Sequence, residues 1–420
     1  MEGANLSLQE RVMLFFAMYI FGLSPALHIL GKVGVMPSIP QSLFCIIPIV
    51  IICIKAHGMF IRSEVPFLLL YGYIFFYSML GYSELELSVN TFSAIRYTFF
   101  GSVYPFILFL FFRQPQLWQI ICANKKNIAR LWAFLTVLYV ALSIYGMSLV
   151  GESGGVLSLS LRHLVKFLRD SGEAEFDVGY QAIGDSYVCL TLLLLCLYRS
   201  LLVRVMIFGV AVYILYIVGS RASLLFFVAA IMLVKIARMK FSKNEIIMAT
   251  ILMTMVCGIF SANLIAKTDV LDLEANPMVK LMVGVVIEPE KDESYVARQS
   301  LAKRNTDALI RSDFLGAYRF EIKEGRAGNY THSVISILEE YGAIGFAALL
   351  IAYAAGLLQA IRQARSNEVL AKYALYMMVF WGMNMFLARA YDNIIYWFAI
   401  VMGIVSAAGI IRSETGEQEL

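Results

Sequence analysis

Twelve continuous apolar runs of 16–24 residues decide the solvent in which this chain folds: 12–31, 41–56, 65–82, 95–113, 131–150, 180–198, 203–219, 222–237, 245–266, 337–360, 370–388 and 394–412. A helix needs about 20 mostly apolar residues to cross a bilayer, where backbone N–H and C=O groups find no water and must be satisfied within the segment. The runs do not alternate in polarity, which excludes the spans of about 10 residues that build a membrane β-barrel. Composition agrees, with 60% of the 420 residues apolar, 15% charged and a mean hydropathy of +0.74. Soluble domains carry about 25% charged residues, so two or three of them in series are excluded. The sequence predicts an all-α polytopic membrane protein of about twelve transmembrane helices, with 1–420 as a single integral membrane domain. The first run has no basic n-region and no clear small-residue cleavage site, so it is expected to be retained.

Orientation follows from Lys and Arg in the short loops. With the N-terminus cytoplasmic, the inner segments hold seventeen of them and the short outer segments seven, which places both termini inside. Two sizeable segments, 151–179 and 267–333, then face outward. In the first, Leu157, Leu161, Leu164, Val165 and Leu168 recur at helical spacing with Arg162, Lys166 and Arg169 on other sides, the pattern of a basic amphipathic helix at the membrane surface. In the second, 293–312 contains no Gly or Pro and reads as a helix, making the loop a partly helical cap. The net charge of +4 is too small and too scattered for a nucleic-acid partner. The six cysteines lie in or beside apolar runs without a CxxC pair, so neither disulfides nor zinc sites are expected.

The residues with chemical potential gather on the outward side. Arg221 stands in a short turn, VGSRAS, between two apolar runs. It reads either as an arginine snorkelling to the headgroups or as half of an anion site, since a guanidinium takes phosphate bidentately. His332, in GNYTHS, is the only histidine of the long loop and stands at the mouth of the next span, as a general base or as a helix-capping side chain. Arg298, Arg304 and Arg311 form a basic stripe on the expected loop helix, either a solvated face or a cationic overhang for a lipid-linked phosphate. Tyr180, Gln181 and Asp185, in GYQAIGD, open the sixth run and would either line a sugar-binding cavity or cap the helix. Arg389, Asp392 and Asn393 make a polar turn on the same side. Neither a GxxxxGK[ST] nor a GxGxxG loop is present, so no nucleotide site is expected. Asp272 and Glu274 lack a third ligand at a defined spacing, so no metal is expected either.

Three segments in order, VGSRASLL, a long outer loop with Arg298 followed by SDFLG, and THSVISILEEYGAIGF, resemble the O-antigen polymerase and ligase family over 179–360. The resemblance implies a GT-C-like, metal- and cofactor-independent glycosyltransferase of the bacterial inner membrane. Such an enzyme acts on undecaprenyl-diphosphate-linked oligosaccharides at the periplasmic face, alongside the chain-length regulator and flippase of the same pathway. It further implies that Arg221 and Arg298 bind the donor diphosphate while His332 assists the acceptor hydroxyl. The chain departs from the family pattern at His332-Ser333, where His-Asn is usual, and at Asp313-Phe314, where a proline usually precedes Leu-Gly. GYQAIGD is similar to polymerases more than to ligases. A polymerase is therefore expected, with a ligase acting on lipid A core as the nearest alternative. A transporter of the same lipid-linked sugars is the alternative from another class, although broken helices and midplane charges would mark it.

Overall fold

The computed structural model describes residues 7–33, 64–150, 159–161, 180–237, 314–319, 334–364 and 369–387, together with positions 48, 50, 51, 164, 300, 310, 323, 400 and 403. Among them there is no strand. Among the described residues, five helices are long and apolar enough to cross a membrane (Leu8–Gly31, Val65–Ser88, Lys125–Leu149, Leu201–Val218 and Ile335–Gln363), or six if Tyr104–Phe112 and Gln116–Ala123 count as one broken span. Two shorter apolar helices, Gln181–Leu197 and Ala222–Lys235, coincide with further expected runs. The chain is a multi-pass membrane protein, all-α over the described residues. The expected spans at 41–56, 245–266 and 394–412 fall largely outside the described residues.

The chain divides into two units, Met1–Cys45 with Gln116–Ile287 and Ile46–Pro115 with Glu288–Leu420. In the first unit, α1 (Leu8–Met18) begins with a capping box: the Glu10 N–H donates to Ser7 Oγ at 3.3 Å and the Ser7 N–H to Glu10 Oε2 at 2.8 Å. These bonds satisfy two donors that a helix start leaves open. A π-helical turn, Tyr19–Leu23, leads into α2 (Ser24–Lys32), which has Pro25 in its first turn. Then follow α6 (Pro115–Ala123), α7 (Lys125–Val150), α8 (Tyr180–Leu197), α9 (Leu201–Val218) and α10 (Arg221–Ala237).

Helix α8 is the axis of this unit, touching α2, the π-turn, α7, α9 and α10. Every residue from Ile183 to Leu195 is buried. Lipid is as apolar as leucine, so helices in a bilayer are fixed to one another by close packing and by polar side chains. Here Trp132 Nε1 donates to Thr191 Oγ1 at 3.0 Å, the Thr136 and Tyr187 hydroxyls meet at 2.6 Å, and the Trp132 ring stacks on Tyr187. On the opposite side of α7, Phe134, Val137 and Ile144 are exposed, as a lipid-facing surface requires. Of the segment expected as a basic surface helix, Leu161 and Leu164 are helical and buried.

The second unit contains α3 (Val65–Ser88), α4 (Thr91–Thr98), a π-helical turn Phe99–Val103, α5 (Tyr104–Phe112), α11 (Ile335–Gln363) and α12 (Val369–Leu387). The run expected as one span over 95–113 is thus α4, the π-turn and α5 in succession. Asn90 Oδ1 caps α4 by accepting from the Ser93 N–H at 2.8 Å. At the far end, Arg113 holds the fully buried Glu64 in a two-pronged bridge, Nε to Oε1 at 3.0 Å and Nη2 to Oε2 at 3.2 Å. Helix α11 packs on both α3 and α12. It is not continuous: Gly342 sits at φ 69°, ψ −173°, so the helix breaks inside its apolar run.

Candidate functional site

Two segments that the sequence singled out separately, GYQAIGD and VGSRAS, meet inside the first unit. Helix α9 ends at Gly219 in the left-handed conformation, φ 74°, where its N–H donates to the Tyr216 carbonyl at 3.0 Å. A residue with a side chain is strained there, so the glycine makes the sharp reversal possible. Ser220 follows as the residue before α10, its carbonyl accepting the first helical bond from the Leu224 N–H at 3.0 Å, and Arg221 is the first residue of the helix.

Opposite this turn is the first part of α8. The Ser223 hydroxyl donates to Asp185 Oδ1, and the Ser220 and Ser223 hydroxyls are bonded to each other. All three are buried: Asp185 0%, Ser220 1% and Ser223 0% exposed. The approach is close because position 184 is glycine. A Cβ there would stand 2.6 Å from the Ser220 Cβ and 2.9 Å from its Oγ. Gln181, one turn before Asp185, is half-buried. Asp185 therefore lies within protein, bonded to a serine of α10, with no surface of its own to offer a cavity. The side chains of Tyr180 and Arg221 lie outside the described residues, as do Arg298, Arg304, His332 and Arg389 altogether.

The second unit brings together another pair of segments, FLGAYR of the outer loop and EEYG of α11. The helix break at Gly342 frees backbone groups, and the loop satisfies them: Ala317 N–H donates to the Glu339 carbonyl at 2.8 Å and Ala343 N–H to the Phe314 carbonyl at 2.9 Å. Gly316 (φ 86°) and Gly342 face each other so closely that a Cβ on either would fall on the backbone of the other strand of chain. The single proton of Tyr77 Oη is shared between the Leu315 and Gly316 carbonyls, at 3.0 and 3.1 Å, and Tyr73 Oη donates to the Tyr341 carbonyl at 2.9 Å. Phe314 (φ 60°) and Arg319 (φ 49°) are also left-handed, a costly state for residues with side chains that persists only where surrounding contacts impose it.

Charge is buried at the same place. Arg319 Nε stands 3.5 Å from Glu340 Oε1, with 8% and 5% of the two side chains exposed, and its guanidinium lies over the Tyr97 ring. Glu339 is buried beside them. The sequence did carry a signal for this cluster, namely two adjacent carboxylates near the head of an apolar run, which in a membrane helix demand a partner. Nothing in the spacing pointed to Arg319 as that partner. After Arg319 the chain, apart from position 323, lies outside the described residues until Val334, and the entrance to α11 is pinned by the Val334 N–H donating to the Met385 carbonyl of α12 at 2.7 Å. Among the described residues no three His, Cys, Asp or Glu side chains converge as metal ligands.

No family model matches the chain, and no curated protein matches it. The functional reading therefore stands on these residues and on the segments that contain them.

Proposed function

We propose that the chain is a membrane glycosyltransferase that moves a growing glycan from undecaprenyl diphosphate onto the next lipid-linked repeat unit at the outer face of the bacterial inner membrane. One observation carries this reading: the segments by which the sequence resembles O-antigen polymerases and ligases pair with one another. GYQAIGD is bonded to VGSRAS through Asp185 and Ser223, and the FLG of the outer loop is bonded into EEYG at Gly342. In this proposal the architecture is GT-C-like, with about twelve spans, both termini cytoplasmic and the loop 267–333 as a periplasmic cap.

The chemistry required is a single displacement. The acceptor hydroxyl oxygen bonds to the anomeric carbon while the bond from that carbon to the diphosphate oxygen breaks, and the electron pair leaves with the diphosphate. Arg221 and Arg298 hold the developing charge, the kind of electrostatic stabilisation that usually contributes most. His332 takes the hydroxyl proton, a contribution of about 10²–10⁴-fold. Arg304, Tyr180, Gln181 and Arg389 complete the substrate contacts. GYQAIGD, which resembles polymerases more than ligases, favours a polymerase.

The lipopolysaccharide ladder of a deletion strain tests the proposal. A single repeat on the core is the expected result. A bare core with long lipid-linked chains would make the protein a ligase, and repeat units trapped on the cytoplasmic face would make it a transporter. With purified protein, Arg221→Lys should lose most polymer formation despite keeping its charge, because an ammonium cannot reproduce the bidentate fork. Full activity would return Arg221 to a headgroup contact.

A further inference from the structure

We infer that Asp185 is a positioning residue that sets the direction of Arg221 through the turn between α9 and α10, and does not touch substrate. This rests on the proposed role of Arg221 as a diphosphate ligand. Asp185 has no exposed surface, and its carboxylate accepts from the Ser223 hydroxyl. Each hydroxyl has one proton to give. Because Ser223 gives its proton to Asp185, the bond between Ser220 and Ser223 runs with Ser220 as donor. The chain of donors is therefore directional, Ser220 to Ser223 to Asp185, with an acceptor-only carboxylate as its end. That polarity fixes the rotamer of the residue immediately before Arg221.

Three further features make the turn a single-state element. Gly219 supplies the left-handed reversal at φ 74°, and Gly184 lets Ser220 approach within a distance that any Cβ would forbid. The carboxylate also stands near the start of α10, where a negative charge is favoured by the helix dipole. A bidentate guanidinium depends on its orientation far more than a point charge does, and a displacement of about 1 Å at a reacting site can cost about 10²-fold. The conservative change Asp185→Asn keeps the size and an acceptor oxygen but can equally present an amide donor to Ser223. The direction of the chain is then no longer fixed.

Two measurements on the purified full-length protein in nanodiscs separate the positioning claim from the proposed function. The first is the rate at which phenylglyoxal modifies Arg221, read by mass spectrometry with the exposed Arg130 as internal control. It should change several-fold in Asp185→Asn and in Ser223→Ala, while Arg130 is modified at the wild-type rate. Unchanged reactivity at Arg221 in both variants overturns the inference whatever the protein catalyses, and Ser223→Ala decides the matter should Asp185→Asn fail to fold. The second is binding of undecaprenyl diphosphate. Asp185→Asn should weaken it roughly ten- to hundredfold, the range of one charge-assisted hydrogen bond, and Asp185→Asn combined with Arg221→Lys should be no weaker than Arg221→Lys alone. Losses that multiply would show Asp185 acting independently of Arg221 and overturn the inference. Wild-type binding by Arg221→Lys would instead remove the diphosphate role while leaving the reactivity result to judge the turn.

Discussion

Replacing Arg319 by leucine should destabilise the second unit by about 3–5 kcal/mol, because it leaves Glu340 buried without that counter-charge. The separation of 3.5 Å corresponds to about 5 kcal/mol of attraction at an effective dielectric near 20, in line with that range. The side chains are only 8% and 5% exposed, so water screens little of it. The pair Lys323–Glu84 provides the contrast: it is shorter, 2.6 Å, but Glu84 is 73% exposed, and Glu84→Gln should cost at most about 1 kcal/mol. Removing both charges, with Arg319→Leu and Glu340→Leu together, should recover much of the loss, since a buried pair replaced by apolar groups is often nearly neutral. Reversible unfolding of Arg319→Leu, Glu340→Leu, the double variant and Glu84→Gln in mixed micelles, followed by tyrosine and tryptophan fluorescence, measures each term. A cost below about 1 kcal/mol for Arg319→Leu, or a double variant as unstable as the sum of the singles, would refute the burial reasoning.

Gly342→Ala should lower stability by about 1–3 kcal/mol for its backbone conformation alone, and further because the new Cβ meets the Leu315 and Phe314 carbonyls; thermal melts against Gly72→Ala, a helical control whose Cβ would meet nothing, would show it. Thr191→Val removes the acceptor of Trp132 Nε1 and should cost about 0.6–1.7 kcal/mol, the range for hydrogen bonds between membrane helices, with a change in Trp132 fluorescence. Cysteines introduced at Ser294 and Ser312 should react with an impermeant maleimide on intact spheroplasts; labelling only after lysis would reverse the proposed sidedness. His332→Asn should cut polymer formation by about 10²-fold with donor binding retained, as a general base requires, whereas near-normal turnover would leave a capping role.

Hydropathy located the helices because it reports the solvent of each residue, and it could not locate their breaks because it is blind to backbone angles. The run 337–360 reads as one span although the chain turns at Gly342, while Gly345 and Gly356 in the same helix need no special conformation. From composition the three glycines are equivalent; only the loop pressed on the first distinguishes it. In the same way, Asp185 and Ser223 are 38 positions apart, and no local period links them. The sequence marked one segment as the polar entry to an apolar run and the other as a turn between two runs, and the packing of α8 on α10 brought the two into one hydrogen-bonded turn. Arg319 was hidden for the opposite reason, since in a loop with ten basic residues one more arginine carries no signal until its burial is seen.

The π-helical turn Phe99–Val103 has a consequence for insertions and deletions. A π-turn holds one residue more than the α-turn it replaces, and one residue of an α-helix is a rotation of about 100°. Deleting a single residue between Phe99 and Val103 would let the segment relax to an unbroken α-helix with α5 kept in phase, whereas deleting one inside α5, which holds no extra residue, would swing every later position round by that angle. In that second case Arg113, one residue past the helix, would point away from Glu64 and take the two-pronged bridge from a carboxylate that is 0% exposed. The extra residue thus works as a reserve of phase: the bridge survives the loss of one residue from the turn and not the loss of one beyond it.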